Sequence, residues 1–586
     1  MGKSEINRSI SMNCSAGNNI KNHFIQLFIP IIFILLICSV IYYNSLNAPF
    51  VFDDIVCIVR NYDITQLKDI IPKLINYDRP ITILSFALNY YFGKLNTFGY
   101  HIFNIIIHII NCVLVFFIVK KMVFYVYQKK SVLYPFFVSL IFTVHPINTE
   151  VVTYIYNRSA SLSSMFYLFS LIFFIKSIEK HKNYFILTVI FFILSYLTKQ
   201  IGITLPLIIL IFDYIYLSDF DIRKVIKKKS YHIVLWIILV FLLVLQYFYF
   251  NETQLQKKDY FWTGLSYYLV QPWVILKFLK LSFIPIGFCI DHQIYPLRTL
   301  FEYRSILSLI FVIIMIIVIY KLFIRRTELS KLFLFAILWY FIILVPTSII
   351  KVHIGERHFY LPNIGVYMVI VGLYFLVLRK DLYLVWNTIL FILLIVHVTV
   401  LGIITVNRNK LYQNPLLLWQ DVVKKYPNNA LAHDHLGIIC HEKGALDKAY
   451  EEYIKSIELD PEKENAYTHL GVWYVDKKMY DESIKYFKEA VRIAPNNVEA
   501  INNLAGGYFM KNMFEEAIRN YRRALKINPY YLEARKNLAI TYYKTGKYEE
   551  ALQEYRFIKR NFPDEPVEKN MEELEKLILS KNIRKW

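Results

Sequence analysis

The chain carries little charge for its size: Asp, Glu, Lys and Arg make up 19% of its 586 residues, against about a quarter in a typical soluble domain. A wholly soluble fold is thereby excluded, and the mean hydropathy of +0.39 agrees. Its six cysteines (Cys14, Cys38, Cys57, Cys112, Cys289, Cys440) contain no CxxC pair and no metal-ligand spacing, which excludes a disulfide framework and a zinc site. A concentrated basic face is also missing. Of the net charge of +21, +18 falls before residue 407, divided among short loops between apolar runs, so it reads as membrane topology and not as a nucleic-acid footprint. A cleavable signal peptide is not expected, and the first apolar run reads as a signal anchor. The first apolar run, Phe24 to Tyr43, has the length of a spanning helix, and Ser-Val-Ile-Tyr-Tyr follows Cys38 where a small-x-small site is wanted.

What the first 405 residues do contain is a series of apolar stretches. Eleven spans are predicted, at 24–43, 100–119, 132–145, 159–175, 184–197, 201–217, 231–250, 304–320, 332–350, 359–378 and 383–405. Lysine and arginine collect in every second loop: Lys120, Lys121, Lys129 and Lys130; Lys176, Lys180 and Lys182; Arg223, Lys224 and Lys227 to Lys229; Lys321, Arg325, Arg326 and Lys331; Arg379 and Lys380. The positive-inside rule places these loops and the amino terminus in the cytoplasm. Segments 44–99, 146–158, 251–303 and 351–358 then lie outside, with everything after 405. Pro272, Lys277, Lys280 and Pro285 interrupt 265–290, which is expected to lie along or dip into the outer face; if it crosses fully, the count becomes even and the carboxy-terminal domain moves inside. Cys57 and Cys289 fall in two outer loops on the same side, and a bridge between them is the less favoured alternative to two unlinked small apolar fillers.

From 427 onward the chain repeats. Prolines recur at Pro427, Pro461, Pro495, Pro529 and Pro563, each 34 residues after the last, which is the tetratricopeptide period. Other positions keep phase: Leu436-Gly437, Leu470-Gly471, Leu504-Ala505 and Leu538-Ala539; Ala449, Ser483, Ala517 and Ala551; Tyr453, Phe487, Tyr521 and Tyr555. The expected fold class is all-α, a polytopic helical membrane domain followed by an α-solenoid. Its divisions are a cytoplasmic segment 1–23, the multi-span domain 24–405, a linker and half-repeat 406–429, four repeats 430–565, and a capping helix 566–586. His433, His435 and His441 do not share a helical face, so they read as repeat-packing residues and not as a metal site.

Residues able to carry chemistry cluster in the outer segments. The first contains Phe52-Asp53-Asp54 and Asp78-Arg79-Pro80. Two adjacent carboxylates near lipid need a cation, a hydroxyl or water to offset them. One of them can act as a general base if its surroundings raise its pKa; a divalent cation is the cofactor candidate at Asp53/Asp54. In the second span His101, Asn104, His108 and Asn111 form one helical stripe. Interhelical hydrogen bonding suits the deeper His108 and Asn111, while His101, near the outer interface, is a candidate substrate contact. Glu150 and Arg158 follow His145-Pro146, Lys199-Gln200 interrupts an apolar run, and Lys351 to His358 holds His353, Glu356 and Arg357. With Arg79 these cations suit a phosphate-bearing lipid, whose leaving group is an anion at the membrane surface; the competing task is snorkelling to headgroups.

Taken in order, Phe52-Asp53-Asp54, Arg79-Pro80-Ile81-Thr82, Leu88-Asn89-Tyr90, Gly99-Tyr100-His101 with Asn104 and His108, His145-Pro146 with Thr149-Glu150, Asn157-Arg158, Thr198-Lys199-Gln200-Ile201-Gly202 and Glu356-Arg357 with Tyr360-Leu361-Pro362 carry a resemblance. The chain resembles the transmembrane and tetratricopeptide-repeat O-mannosyltransferases, with a C-type glycosyltransferase membrane fold, and its Ile, Lys, Asn and Tyr content suggests a microbial relative. The resemblance implies transfer of a sugar, typically mannose, from a polyprenyl-phosphate donor to a protein hydroxyl on the non-cytoplasmic face. In those terms Asp53 or Asp54 is the base or acceptor-positioning acid, Glu150 a second acidic contact, and Arg79, Arg158, Lys199 and Arg357 the phosphate contacts. The implied partners are the lipid-linked donor and a protein or peptide acceptor held by the repeats; no nucleic acid is expected. The compartment would be a bacterial inner membrane with repeats in the periplasm, or an endoplasmic reticulum membrane with lumenal repeats. Two other classes stay open: a non-catalytic membrane-anchored repeat scaffold for envelope assembly, and another lipid-linked glycan ligase or polymerase. A transporter would show paired interrupted helices in two matching halves, which the sequence lacks.

Overall fold

The structure, a computed structural model, describes residues 27–128, 131–250, 265–294, 302–349, 355–377, 384–562 and 565–583. Lys129, Lys130, Lys351, His353, Arg379, Lys380, Pro563 and the segment 1–23 lie outside the described residues. No strand occurs among those described. The chain forms two compact units, Met1–Asn414 and Pro415–Trp586.

The first unit begins with α1 (Leu27–Ser45). The following stretch, expected as a loop, folds instead into α2 (Leu67–Lys73) and α3 (Pro80–Gly93). A small core of Ile58, Ile64, Ile70, Ile83, Phe86 and Tyr100 holds it together, and Pro80 starts α3 because a proline at the first helical position gives up no hydrogen bond. Next come α4 (Thr97–Tyr127), α5 (Leu133–Val144), α6 (Thr149–Val152) and α7 (Arg158–Glu179). They are followed by α8 (Tyr184–Thr198), α9 (Leu205–Phe212), α10 (Ile222–Lys227) and α11 (Lys229–Phe250). The last members are α12 (Leu265–Phe283), α13 (Tyr303–Arg325), α14 (Glu328–Ile349), α15 (Asn363–Val377) and α16 (Leu384–Tyr412).

Eight described helical stretches are long and apolar enough to cross a membrane, or nine if the pair Leu133–Val144 and Pro146–Val152, bent by 50°, counts as one. Tyr184–Thr198 and Asn363–Leu376 are apolar but shorter. The eleven expected spans therefore meet eight long helices, one bent pair and two short helices. Residues 265–283, where prolines and lysines were expected to interrupt, form one helix that packs on α13, α14 and α15 and buries Tyr267, Val274 and Phe278. The basic loops gather as charge sorting requires: Lys120, Lys121, Lys176 and Lys180 line a single groove, and Lys331 pairs with Asp219 across 2.5 Å.

The second unit is a run of antiparallel helix pairs. After α17 (Pro415–Lys425), the pairs are α18/α19 (Ala430–Glu442, Leu446–Leu459), α20/α21 (Glu464–Asp476, Tyr480–Ile493), α22/α23 (Val498–Met510, Phe514–Ile527) and α24/α25 (Leu532–Lys544, Tyr548–Asn561); α26 (Glu568–Ile583) follows. Each repeat obeys the same local rules. Asp460, Ala494 and Asn528 precede the prolines and leave the helical region, with φ of −146°, −124° and −129°, because a proline ring crowds the residue before it. The turn within each repeat takes a positive φ at Gly444, Lys478, Asn512 and Gly546, a conformation that glycine and asparagine tolerate best. A Cβ on Gly437 would stand 2.6 Å from the Tyr453 ring and one on Gly471 2.5 Å from that of Phe487, so the small residue is what lets the two helices close. His433 is held between Glu452 and the Pro427 carbonyl, His435 stacks on Trp419 with ring centroids 4.3 Å apart, and His441 meets Asp476. All three are packing residues.

Candidate functional site

The loop after α1 is pinned from several directions. His101 lies one turn into α4, and its Nε2 donates to the Ala48 carbonyl at 2.9 Å. Phe52 adopts a left-handed backbone, φ 52°, which turns the chain so that the two acids after it diverge. Asp54 goes inside: it is fully buried, Oδ2 accepts from the Val51 amide at 3.0 Å and Oδ1 from the Tyr156 amide at 2.7 Å. Burial pushes its carboxyl up to about 8, against the opposing pull of those two amides. Asp53 stays half-buried, with its amide donating to the Tyr154 hydroxyl at 2.9 Å. Of the pair, Asp54 staples the loop to the 154–157 turn, and Asp53 is the less buried acid, beside Tyr154.

The other predicted residues divide the same way. Arg158 is completely buried at the start of α7. Its Nε donates to Asn104 Oδ1 at 2.6 Å, Nη1 to Asn89 Oδ1 at 2.6 Å and to Ser85, and Nη2 to the Tyr100 carbonyl at 3.1 Å. Phe86 and Phe103 lie against the guanidinium, each with its ring centroid 4.7 Å away. Every nitrogen is thus used in joining α3, α4 and α7, so the structure gives Arg158 a framework task in place of the expected phosphate contact. His101, 1% exposed, likewise supports the Asp53 loop through the Ala48 carbonyl. The deeper stripe is interhelical: His108 Nδ1 meets the Tyr360 hydroxyl at 2.6 Å, and Asn111 Nδ2 donates to the Ser161 carbonyl at 2.9 Å and to the same hydroxyl at 3.1 Å.

Glu150, also fully buried, accepts from Arg357 twice, from Nη1 at 2.9 Å on Oε1 and from the backbone amide at 2.9 Å on Oε2, with Asn157 Nδ2 at 3.1 Å on Oε1. It aims Arg357. Gly355 permits that approach, since a Cβ there would come within 2.7 Å of Arg357 Nη1. The neighbouring Glu356 turns inward and anchors the segment to Arg408, to His292 Nε2 at 2.9 Å and to the Cys289 amide at 2.8 Å.

Lys199 sits where α8 breaks. Gly202 makes the break, because a Cβ there would lie 2.7 Å from the Tyr196 amide nitrogen. The α3 end is brought up by Thr82, whose hydroxyl donates to the Thr198 carbonyl at 3.3 Å. The Lys199 side chain is 8% exposed and its ammonium makes no hydrogen bond among the described residues. Burial, and then the charges of Arg79 and Arg357, hold it well below the usual lysine range, with Glu150 opposing them. Arg79 is half-buried, with one long contact, 3.4 Å, to Ser159 Oγ. Asp53 acts electrostatically on Arg357. Arg79, Lys199 and Arg357 therefore gather positive charge beside one half-buried carboxylate. Sequence reasoning missed Tyr154 and Asn157, whose signal was only their place beside Arg158. Cys57 and Cys289 form no disulfide among the described residues.

No group of three or more His, Cys, Asp or Glu side chains among the described residues is arranged to hold a metal ion, and both oxygens of Asp54 are taken by backbone amides.

Family models described as tetratricopeptide repeat match residues 462–529 and 508–568, and one described as TPR repeat matches 437–477. The chain is 27% identical over 492 residues to Protein O-mannosyl-transferase F38B6.6 of Caenorhabditis elegans, covering 79% of this chain and 67% of that protein. It is 35% identical over 150 residues to human Protein O-mannosyl-transferase TMTC3, covering 23% of this chain and 16% of that one. Against human Protein O-mannosyl-transferase TMTC4 it is 27% identical over 223 residues, 33% and 30% of the two chains. The chain spans two thirds of the worm protein and less than a third of either human one. Among solved structures, YrrB, titled a TPR protein with an unusual peptide-binding site, aligns at 23% identity and TM-score 0.23 over 25% of this chain and 75% of its own. The curated relatives are protein O-mannosyltransferases, the repeats are tetratricopeptide repeats, and both agree with an integral membrane glycosyltransferase.

Proposed function

We propose that the chain moves a sugar, typically mannose, from a polyprenyl-phosphate donor to a protein hydroxyl on the non-cytoplasmic side of its membrane. The observation that carries this reading is the buried Lys199 ammonium, without a hydrogen-bond acceptor among the described residues and grouped with Arg79 and Arg357 beside Asp53. Burial and the two neighbouring arginines disfavour the charged form of Lys199, and an arriving phosphate restores it. Asp53 takes the proton from the acceptor hydroxyl as its oxygen bonds to the anomeric carbon. The bond from that carbon to the phosphate oxygen breaks, the electron pair leaves with the polyprenyl phosphate, and Arg79, Lys199 and Arg357 stabilise the charge that develops there. Glu150 holds Arg357 at its station. The repeat array raises the local concentration of a protein acceptor.

Purified protein supplied with polyprenyl-phosphate mannose and a peptide acceptor should release polyprenyl phosphate and form a glycosylated peptide. Asp53→Asn should lower that rate about 10²-fold or more, and Lys199→Met should raise the donor KM. Full activity in Asp53→Asn, or no transfer from a panel of lipid-linked sugars, refutes the proposal.

A further inference from the structure

A groove of about 1000 Å³ opens between α1, α4 and α7, far from the Asp53 loop. Its walls are apolar, with Ile31 and Leu35 on α1, Ile110 and Val113 on α4, and Phe169 and Phe173 on α7. One end is different: Lys120, Lys121, Lys176 and Lys180 all line it. Lys121 is neutralised by Glu179, 2.6 Å away; Lys120 and Lys176 lie over the Phe116 and Phe173 rings at 5.7 and 4.9 Å, and Lys180 is exposed. Neither Lys176 nor Lys180 has a carboxylate partner among the described residues, so that end keeps an excess of positive charge. On α4, nineteen residues separate His101 from Lys120, about 28 Å along the helix axis. On α7 eighteen separate Arg158 from Lys176, about 27 Å. The lysines thus stand about one hydrocarbon thickness from the Asp53 loop, at the end that charge asymmetry assigns to the cytoplasm.

We propose that this groove is a binding site for one anionic glycerophospholipid of the leaflet at the lysine-rich end, with acyl chains along α1, α4 and α7 and the headgroup phosphate among Lys120, Lys176 and Lys180. An apolar trough that ends in unbalanced lysines at headgroup depth matches a lipid with an anionic head, and basic pockets between spanning helices recognise such heads. The volume is at the upper end of ordinary small-ligand sites. Residues 1–26 carry Lys3, Arg8 and Lys21 against Glu5 alone, the same sign as the lysines, so charge disfavours that segment as the occupant. The proposal is independent of the reading of the Asp53 site.

The test uses the full chain in detergent, exposed to mixed phosphatidylglycerol and phosphatidylcholine, washed, and weighed by native mass spectrometry. One phosphatidylglycerol per chain should remain, preferred about tenfold or more over phosphatidylcholine. The combined variant Lys120→Gln, Lys176→Gln, Lys180→Gln should lose that preference. Ile110→Trp, which fills the trough and keeps every lysine, should lose retention altogether, while Lys120→Arg with Lys176→Arg and Lys180→Arg should keep it. Glycerol phosphate, a head without chains, should not displace the lipid. Equal retention of phosphatidylcholine, unchanged retention in Ile110→Trp, or displacement by glycerol phosphate overturns the proposal. Displacement by polyprenyl phosphate at equal concentration also overturns it and assigns the groove to the donor.

Discussion

Glu150→Gln isolates what a buried carboxylate does for its partly exposed arginine partner. The native oxygens take three donors, two of them from Arg357 and one from Asn157. Glutamine keeps the size but turns an NH₂ group toward at least one of these donors, so one bond is lost and the others lose their charge assistance. Charge-assisted hydrogen bonds contribute roughly 1.5–3 kcal/mol each, and breaking a buried pair costs about 3–5 kcal/mol. The Arg357 side chain is 25% exposed and recovers part of its solvation from water, which leaves a loss of about 2–3 kcal/mol in stability. Freed from its partner, Arg357 samples other rotamers, so the donor KM should rise about tenfold while kcat changes less. The assay is a double-mutant cycle with Arg357→Gln, reading thermal unfolding in one fixed lipid together with donor KM. If Glu150 works through Arg357, the second substitution adds little and the coupling is about 1 kcal/mol or more. Effects that add within about 0.5 kcal/mol would refute the positioning role.

Asp54 should make stability fall as pH rises. Its folded pKa of about 8 lies above its ordinary 3.8, so the folded state holds the proton more tightly; the contribution is complete below about 4 and is lost through 8. Asp54→Asn should flatten that slope in melting curves taken between pH 5 and 9. Arg158→Met should cost several kcal/mol, about 3–5 for a buried charge network, and Arg158→Lys should not rescue it, because an ammonium cannot reach all the acceptors served by the planar fork; yield and melting temperature report both. By contrast, Arg79→Gln removes only one long contact and should raise donor KM with melting almost unchanged. Deleting 430–586 should raise KM for a folded acceptor far more than for a short peptide, since docking contributes effective concentration and not transition-state stabilisation; equal losses would mean that the array supports catalysis in another way.

The repeats were legible in the sequence because everything that builds them is local: proline, the small residue and the aromatic return every 34 positions, and each helix pair meets only its neighbours. The spans were legible because hydrocarbon demands a minimum apolar length; only the bent pair around Pro146 and the two short helices fell under it. The stripe of His101, Asn104, His108 and Asn111 followed from helical geometry alone. What the sequence left open was the direction in which each charge faces. Asp53 and Asp54 are adjacent and chemically identical, and a left-handed Phe52 together with two backbone amides decides that Asp54 is buried and Asp53 only half-buried. Arg158 and Lys199 both look like cations at the edge of apolar runs. Two helices, α3 and α4, supply acceptors for every nitrogen of the first, whereas none of the described residues accepts a hydrogen bond from the second. Glu150 finds Arg357 across 207 positions of chain. Such partnerships exist only after the helices have packed, because a buried charge takes its role from whichever acceptors the closed fold brings within 3 Å of it.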